Sequence, residues 1–177
     1  MVKLGLGQAS GMFYHAPAGT ALPTTLGTIP AAWESVGDVS NDGITLALDK
    51  TTENIRNWAN VIRRVIMTEH AESIQAPIID SSEEVFKVLV GEDNVVKTGT
   101  TISVSLSEAS LPEEEAFLFC MKDGDDLTYI GCTNGQITAI DNVSFQPGGA
   151  VTWTPTITGL GDGWKLITSA EAGDTSS

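Results

Sequence analysis

The second half of the chain is a run of short segments with a two-residue period, separated by turn-forming dipeptides, and that pattern admits little besides a β fold. Thr101–Leu106 sets Ile102, Val104 and Leu106 against Thr and Ser, the alternation of a half-buried strand. Ala116–Lys122 and Leu127–Thr133 are apolar arms on either side of Asp123-Gly124-Asp125-Asp126. Asn134-Gly135 is the strongest hairpin signal present and predicts a turn from Leu127–Thr133 into Gln136–Ile140. Pro147-Gly148-Gly149 leads into Ala150–Thr158, where Pro155 places the strand on an edge or ends it. Trp164–Thr168 reads as a last short strand, and residues 169–177 as a small, polar, disordered tail.

The first half is less regular. Residues 1–32 are rich in Gly, Ala, Pro and Thr and read as a long, largely irregular arm. Its Met12–Tyr14 and Trp33 beyond it are costly to leave in water, so contact with something should order it. Trp33–Val39 predicts a short strand, Asn41-Asp42-Gly43 a turn, and Ile44–Leu48 a second strand. Residues 49–60, DKTTENIRNWAN, are polar without a strict period and read as a protruding loop anchored by Ile55 and Trp58. Val61–Thr68 is rich in β-branched residues and predicts a strand that bends through Glu69–Ile74, with a helix as the alternative.

Residues 80–91 give the one helix, over about 82–90. Ser81 and Glu84 have capping-box spacing, Val85, Phe86, Val88 and Leu89 make one apolar face, and Gly91 supplies the stop. About three turns cannot stand alone, so the helix must pack on a sheet. The expected architecture is mainly β: a β-sandwich or partly closed barrel with one short flanking helix, an N-terminal arm over 1–32, a loop protruding over 40–60, and one domain over residues 1–168.

Charge narrows the function. The chain has 177 residues, 23 Asp and Glu and 9 Lys and Arg. Residues 65–177 carry four bases and eighteen acids, which is the whole imbalance of −14. Such a chain is unsuited to holding nucleic acid by its phosphates or to docking on an anionic membrane. No apolar run is long enough for a spanning helix, and the start does not read as a signal peptide. Cys120 and Cys132 lack metal-site spacing, and a turn near Asp123–Asp126 sets Cys120 opposite Leu127–Tyr129, not Cys132. Free thiols in a reducing compartment are the expectation. His15 and His70 stand in no ligand spacing, no nucleophile elbow or phosphate loop occurs, and the Asp123–Asp126 cluster lacks the spacing of a calcium loop. No enzyme, cofactor or metal site is expected.

An ordered set of segments then points to a family. APAGTALP at 16–23, SVGDVSNDGI at 35–44, a polar loop ending at Trp58, VIRRV at 61–65, SSEEVFKVLVGEDNVV at 81–96, FLFCMKDGDD, NGQI and VTWTPTITGLGDGWK together resemble the major tail tube proteins of long, non-contractile phage tails. The resemblance covers about residues 11–168. It implies a structural virion protein, made in the host bacterial cytoplasm, that assembles into hexameric rings. The rings stack into a hollow tube around a tape-measure protein, with a tail terminator and distal tail proteins at the ends. DNA leaves through the bore without specific binding. A loop between early strands, here Ser40–Asn60, would reach the adjacent ring, and the arm would join subunit contacts. Ile55, Trp58, Asp42, Arg56 and Tyr14 are the resulting candidates for inter-subunit contact. Glu69, Glu72 and Glu108 are candidates for an acidic lumen wall. A tail terminator or contractile inner tube is the close relative to separate. The reading from another class is a monomeric β-sandwich module that binds carbohydrate or a cell-surface partner.

Overall fold

The computed structural model describes residues 12–107 and 111–169. These form ten strands and one α-helix: β1 (Phe13–Pro17), β2 (Glu34–Gly37), β3 (Thr45–Arg56), β4 (Ile62–Gln75), α1 (Glu83–Val90), β5 (Val95–Thr98), β6 (Thr101–Val104), β7 (Glu115–Asp123), β8 (Asp126–Ile140), β9 (Pro155–Gly159) and β10 (Lys165–Thr168). Eight strands make one antiparallel sheet in the order β2-β1-β7-β8-β9-β4-β3, with β10 also on β8; β5 and β6 form a separate ribbon. The sheet is not closed into a barrel.

Strand β7 organises the core because both of its faces are covered. Phe117 and Phe119 point to one side, where Phe13 stacks on Phe119 at 4.5 Å between ring centroids. Ile74, Ile78, Ile157 and the buried α1 residues Val85, Val88 and Leu89 complete that cluster. Ala116, Leu118 and Cys120 point the other way, against Trp33, Tyr129, Leu22, Leu26 and Ile29. Each large side chain so buried contributes about 1.5–3 kcal/mol.

The N-terminal arm therefore does not stand off the body. Residues 13–17 are a strand between β2 and β7, and 18–33 lie over the second face of the sheet. The Gly27 N–H donates to the Tyr129 hydroxyl at 2.9 Å and the Gly19 N–H to the Thr133 carbonyl at 2.8 Å. The contact that orders the arm from Met12 onward is its own sheet.

Helix α1 has the expected extent, with a different cap. Ser82, not Ser81, is the N-cap: its hydroxyl accepts from the Val85 N–H. Ser81 instead accepts from the Trp153 indole N–H at 3.2 Å. Gly91 closes the helix at a φ of 89°.

One turn expectation and one strand expectation are overturned. Asn134-Gly135 is not a hairpin; β8 runs through it without a break. Pairing shifts there instead, with Glu115 opposite Gly135 and Phe117 opposite Cys132, so the extra residues form a bulge. Glycine is required for contact: a Cβ at 135 would lie 2.8 Å from Cys132 Sγ and 2.9 Å from the Phe117 ring. The strand expected over 150–158 begins only at Pro155 and lies between β8 and β4, so it is interior. As first residue of the strand, Pro155 needs no ladder N–H. The thiols follow expectation: Cys120 opposes Tyr129, and both cysteines are free and buried. Burial pushes each thiol up to about 12.

Candidate assembly surface

The largest departure from expectation is at residues 49–60. Residues 49–56 are strand, and only 57–60 turn. Lys50–Arg56 continues β3, so the whole of Thr45–Arg56 pairs with β4. The helix alternative for Val61–Thr68 gives way to the strand. Only Ser73–Gln75 of β4 reach β9; beyond them the two strands pair with each other alone, a ribbon of roughly 30 Å at about 3.3 Å per residue. The pairing shifts register at Thr51/Thr52 and Ile55/Arg56, leaving Thr68 and Arg63 as extra residues on β4.

Period two gives this ribbon two unlike faces. The even-numbered residues of β3 and their partners share one face, which begins at buried Ile74 and carries Leu46, Leu48, Met67, Val65 and Ile62 interspersed with Lys50, Thr52, Asn54, Arg56, His70 and Glu72. The five apolar residues beyond Ile74 are all exposed. The odd-numbered face carries Asp49, Thr51, Glu53 and Glu69 among small polar residues, with Ile55, Arg64 and Ile66 toward the tip.

The tip is a defined turn. The Asn57 N–H donates to the Val61 carbonyl at 3.0 Å, the Val61 N–H to Asn57 Oδ1 at 2.9 Å, and Arg56 Nη1 to the Asn60 carbonyl at 3.0 Å. Asn60 takes a φ of 61°, which an Asn side chain tolerates. Trp58 stands at the apex with a relative exposure of 105%.

The candidate contact residues thus fall into three places. Ile55, Arg56 and Trp58 share the tip. Asp42 lies in the turn before β3, at the opposite end of the sheet, where its carboxylate accepts from the Ser40 hydroxyl at 3.2 Å. Tyr14 is half-buried on β1 against the second core cluster; burial, then Cys120 and Tyr129, raise its pKa.

The acidic candidates divide as well. Glu69 opposes Thr51 on the odd face, and Glu72 opposes Leu48 on the even face. Glu72 is also bound: it accepts from the Trp164 N–H at 2.7 Å and lies 2.6 Å from His70 Nε2. Those bonds hold its pKa below the usual carboxylate range. Gly163, at a φ of 68°, makes room for that carboxylate. Glu108 lies outside the described residues, as do 170–177. Sequence reasoning missed the five-residue apolar row, because its members alternate only once β3 and β4 are aligned.

Among the described residues, no three His, Cys, Asp or Glu side chains are grouped to hold a metal ion, and no helix is long and apolar enough to cross a membrane. A firm sheet body with a long, two-faced, solvent-facing hairpin is the construction of a structural protein that works through contact surfaces. The profile described as phage tail tube protein matches residues 7–165, and the chain belongs to that family. The family is structural, not enzymatic, and its place is the tail of the virion.

Similar solved structures include the virion of a native gene transfer agent particle, at 11% identity over 80% of this chain and 92% of the other, with a TM-score of 0.45. The tail of an empty particle of that kind, refined helically with C6 symmetry, is 11% identical over 93% and 100% of the two chains, with a TM-score of 0.46. The extended sheath–tube complex of an extracellular contractile injection system is 10% identical over 91% and 90%, with a TM-score of 0.47. No curated protein matches the chain.

Proposed function

We propose that this chain builds the tube of a long, non-contractile phage tail, as rings of six subunits stacked head to tail, through which DNA is ejected. The observation that carries the proposal is the β3–β4 ribbon: five exposed apolar residues on one face, beside Lys50, His70 and Glu72, and on the other Asp49, Glu53 and Glu69 with small polar residues, giving way to Ile55, Arg64 and Ile66 near the tip. An isolated two-stranded ribbon is marginal in water, and a row of that kind marks a surface that another chain covers. In a ring, the apolar face packs against neighbouring subunits and the free edge of β3 finds a partner. The odd face, with Asp49, Glu53 and Glu69, turns to the bore. A wall of that sign repels duplex phosphates within a Debye length, about 8 Å at physiological salt, so DNA slides without sticking. Ile55, Arg56 and Trp58 at the tip reach the next ring, Asp42 lies on the ring face that receives a neighbour, and Tyr14 joins lateral contacts. Glu72 serves the fold of its own subunit rather than the bore. A tape-measure protein fills the bore before ejection, and tail terminator and distal tail proteins bind the ends.

The test is a shortened ribbon. Thr51 opposes Glu69, so replacing residues 52–68 by Asn-Gly closes the hairpin early and removes the tip together with Ile62, Val65 and Met67 of the apolar row. The expected product is a folded monomer with unchanged far-UV circular dichroism and no rings or tubes by negative-stain microscopy, under conditions where the wild type assembles. Normal tubes from the shortened variant would overturn the proposal.

A further inference from the structure

The ribbon tip is the one markedly basic feature of an acidic chain. Residues 55–64 hold Arg56, Arg63 and Arg64 and no carboxylate. Arg56 is engaged in the turn, while Arg63 and Arg64 make no ion pair among the described residues. Exposed Trp58 adds a large flat apolar group beside them, the combination found at anchoring positions of interfaces.

A surface of opposite sign lies on the same molecule. A cleft of about 480 Å³ opens between α1, β1, β2 and the approach to β7, lined by Glu34, Glu84, Glu92, Asp93, Glu113 and Glu115. Its one lysine, Lys87, is occupied by Glu83 at 2.9 Å and Glu84 at 3.7 Å. On its floor His15 Nδ1 meets Glu115 at 3.0 Å, while His15 Nε2 is buried without a partner among the described residues. The negative field registers on that histidine. Burial works to lower its pKa, but the bond to Glu115 and the charges of Glu115, Glu34 and Glu84 outweigh burial and hold it above the usual value.

Strand register fixes where the two surfaces stand. Gln75 opposes Thr156 and Pro155 opposes Ile140, so the end of β4 and the end of β8 lie together. The start of β4, and with it the ribbon tip, points the other way, beside the β7–β8 turn. The approach to β7 and the segment leading into α1 lie at the end away from the tip. A contact between unlike ends of identical copies is heterologous and repeats without limit.

Resting on the tube reading above, we propose that the Arg63–Arg64–Trp58 tip of one subunit seats in the acidic cleft beside α1 of a subunit in the next ring. The ribbon's length of roughly 30 Å brings the tip level with the β7–β8 turn, at the end of the molecule away from the cleft. Opposite charge brings the surfaces together and rejects a reversed copy, since like charges facing each other repel. The pairing also explains why a protein that must not hold DNA keeps three arginines in a stretch of ten residues.

Charge swapping tests it. R63E/R64E at the tip and E92K/E113K in the cleft should each cut the pelletable tube fraction at least about tenfold, leaving folded rings or monomers. The four-substitution chain carrying both swaps should recover tubes, because the pair is complementary again. At 1 M salt, where the Debye length is about 3 Å, wild-type tubes should separate into rings. Circular dichroism checks folding; should E92K/E113K misfold, E92Q/E113Q takes its place and should lose tubes at lower salt than the wild type. Tubes from the cleft variant as good as wild type, or no recovery on combination, overturn the proposal. Normal tubes from R63E/R64E with lost retention of duplex DNA overturn it too, and make the tip a DNA contact. If wild-type protein forms neither rings nor tubes, the tube reading fails, whereas failure of the swap alone leaves that reading intact.

Discussion

Strands β7 and β3 share an antiparallel backbone and opposite fates. Five successive residues of β7, Ala116–Cys120, are buried, whereas none of the twelve residues of β3 is. Strand β7 has a different cover on each face: the aromatic cluster with α1 on one, the folded-back segment 18–33 on the other. Among the described residues, strand β3 has one neighbour, β4, and no cover over its outer half. The difference teaches where this molecule keeps its stability and where it keeps its contacts. Packing fixes the body within a single subunit; the ribbon is fixed by its ladder alone and leaves its side chains to meet other copies.

The sharpest way to break that comparison is to truncate one residue in each region. Phe119→Ala removes a fully buried ring stacked on Phe13 and should cost about 3–5 kcal/mol in urea unfolding. Val65→Thr on the exposed apolar row should change monomer stability by no more than about 0.5 kcal/mol, yet strongly reduce tube formation. If the two variants have similar unfolding midpoints, the division between body and ribbon is wrong.

A smaller effect sharpens the boundary where ribbon meets body. Glu72 ties β4 to the Trp164 backbone at 2.7 Å. Glu72→Gln weakens a charge-assisted bond and should cost about 1 kcal/mol. The sign of the pH effect follows from its lowered pKa. Glu72 contributes stability above about pH 4.5, the ordinary carboxylate value, and loses it as pH falls through the lower folded value. Urea midpoints measured downward from pH 6 should therefore drop more steeply for wild type than for Glu72→Gln.

The smallest effect concerns the cleft. His15 has a raised pKa in the fold, so its protonated form stabilises the native state. That contribution is complete below 6.5, its ordinary value, and is lost as pH rises through the folded value. Replacing His15 by Gln should flatten the fall in urea midpoint as pH rises above 6.5. An unchanged profile would show that Glu115 and the cleft carboxylates do not act on this histidine.

Much of the body was legible because its signals are local. Apolar arms on either side of a turn marked β7 and the first half of β8, apolar spacing and Gly91 marked α1, and the Asp123–Asp126 turn separated the two thiols. The tip residues Ile55 and Trp58 stood out as apolar groups in a polar run. The outer half of β3 was not legible, because KTTENIR has no apolar period of its own. Its strand conformation comes from β4, whose residues supply the ladder and the apolar members of the shared face.

Sequence by itself determined a mainly β chain with one short helix, two separated thiols, an acid excess confined to residues 65–177, and a family resemblance that the profile match over residues 7–165 establishes. Tertiary structure decided the rest. It drew β8 straight through Asn134-Gly135, since Cys132 and Phe117 occupy the space a side chain would need. It put Glu69 and Glu72 on opposite faces, and it gathered Glu34, Glu84, Glu92 and Glu113 from three separate stretches into one cleft. Periodicity is written in neighbouring residues, whereas register, faces and clefts depend on partners distant in the chain, and those are settled only when the sheet closes on its core.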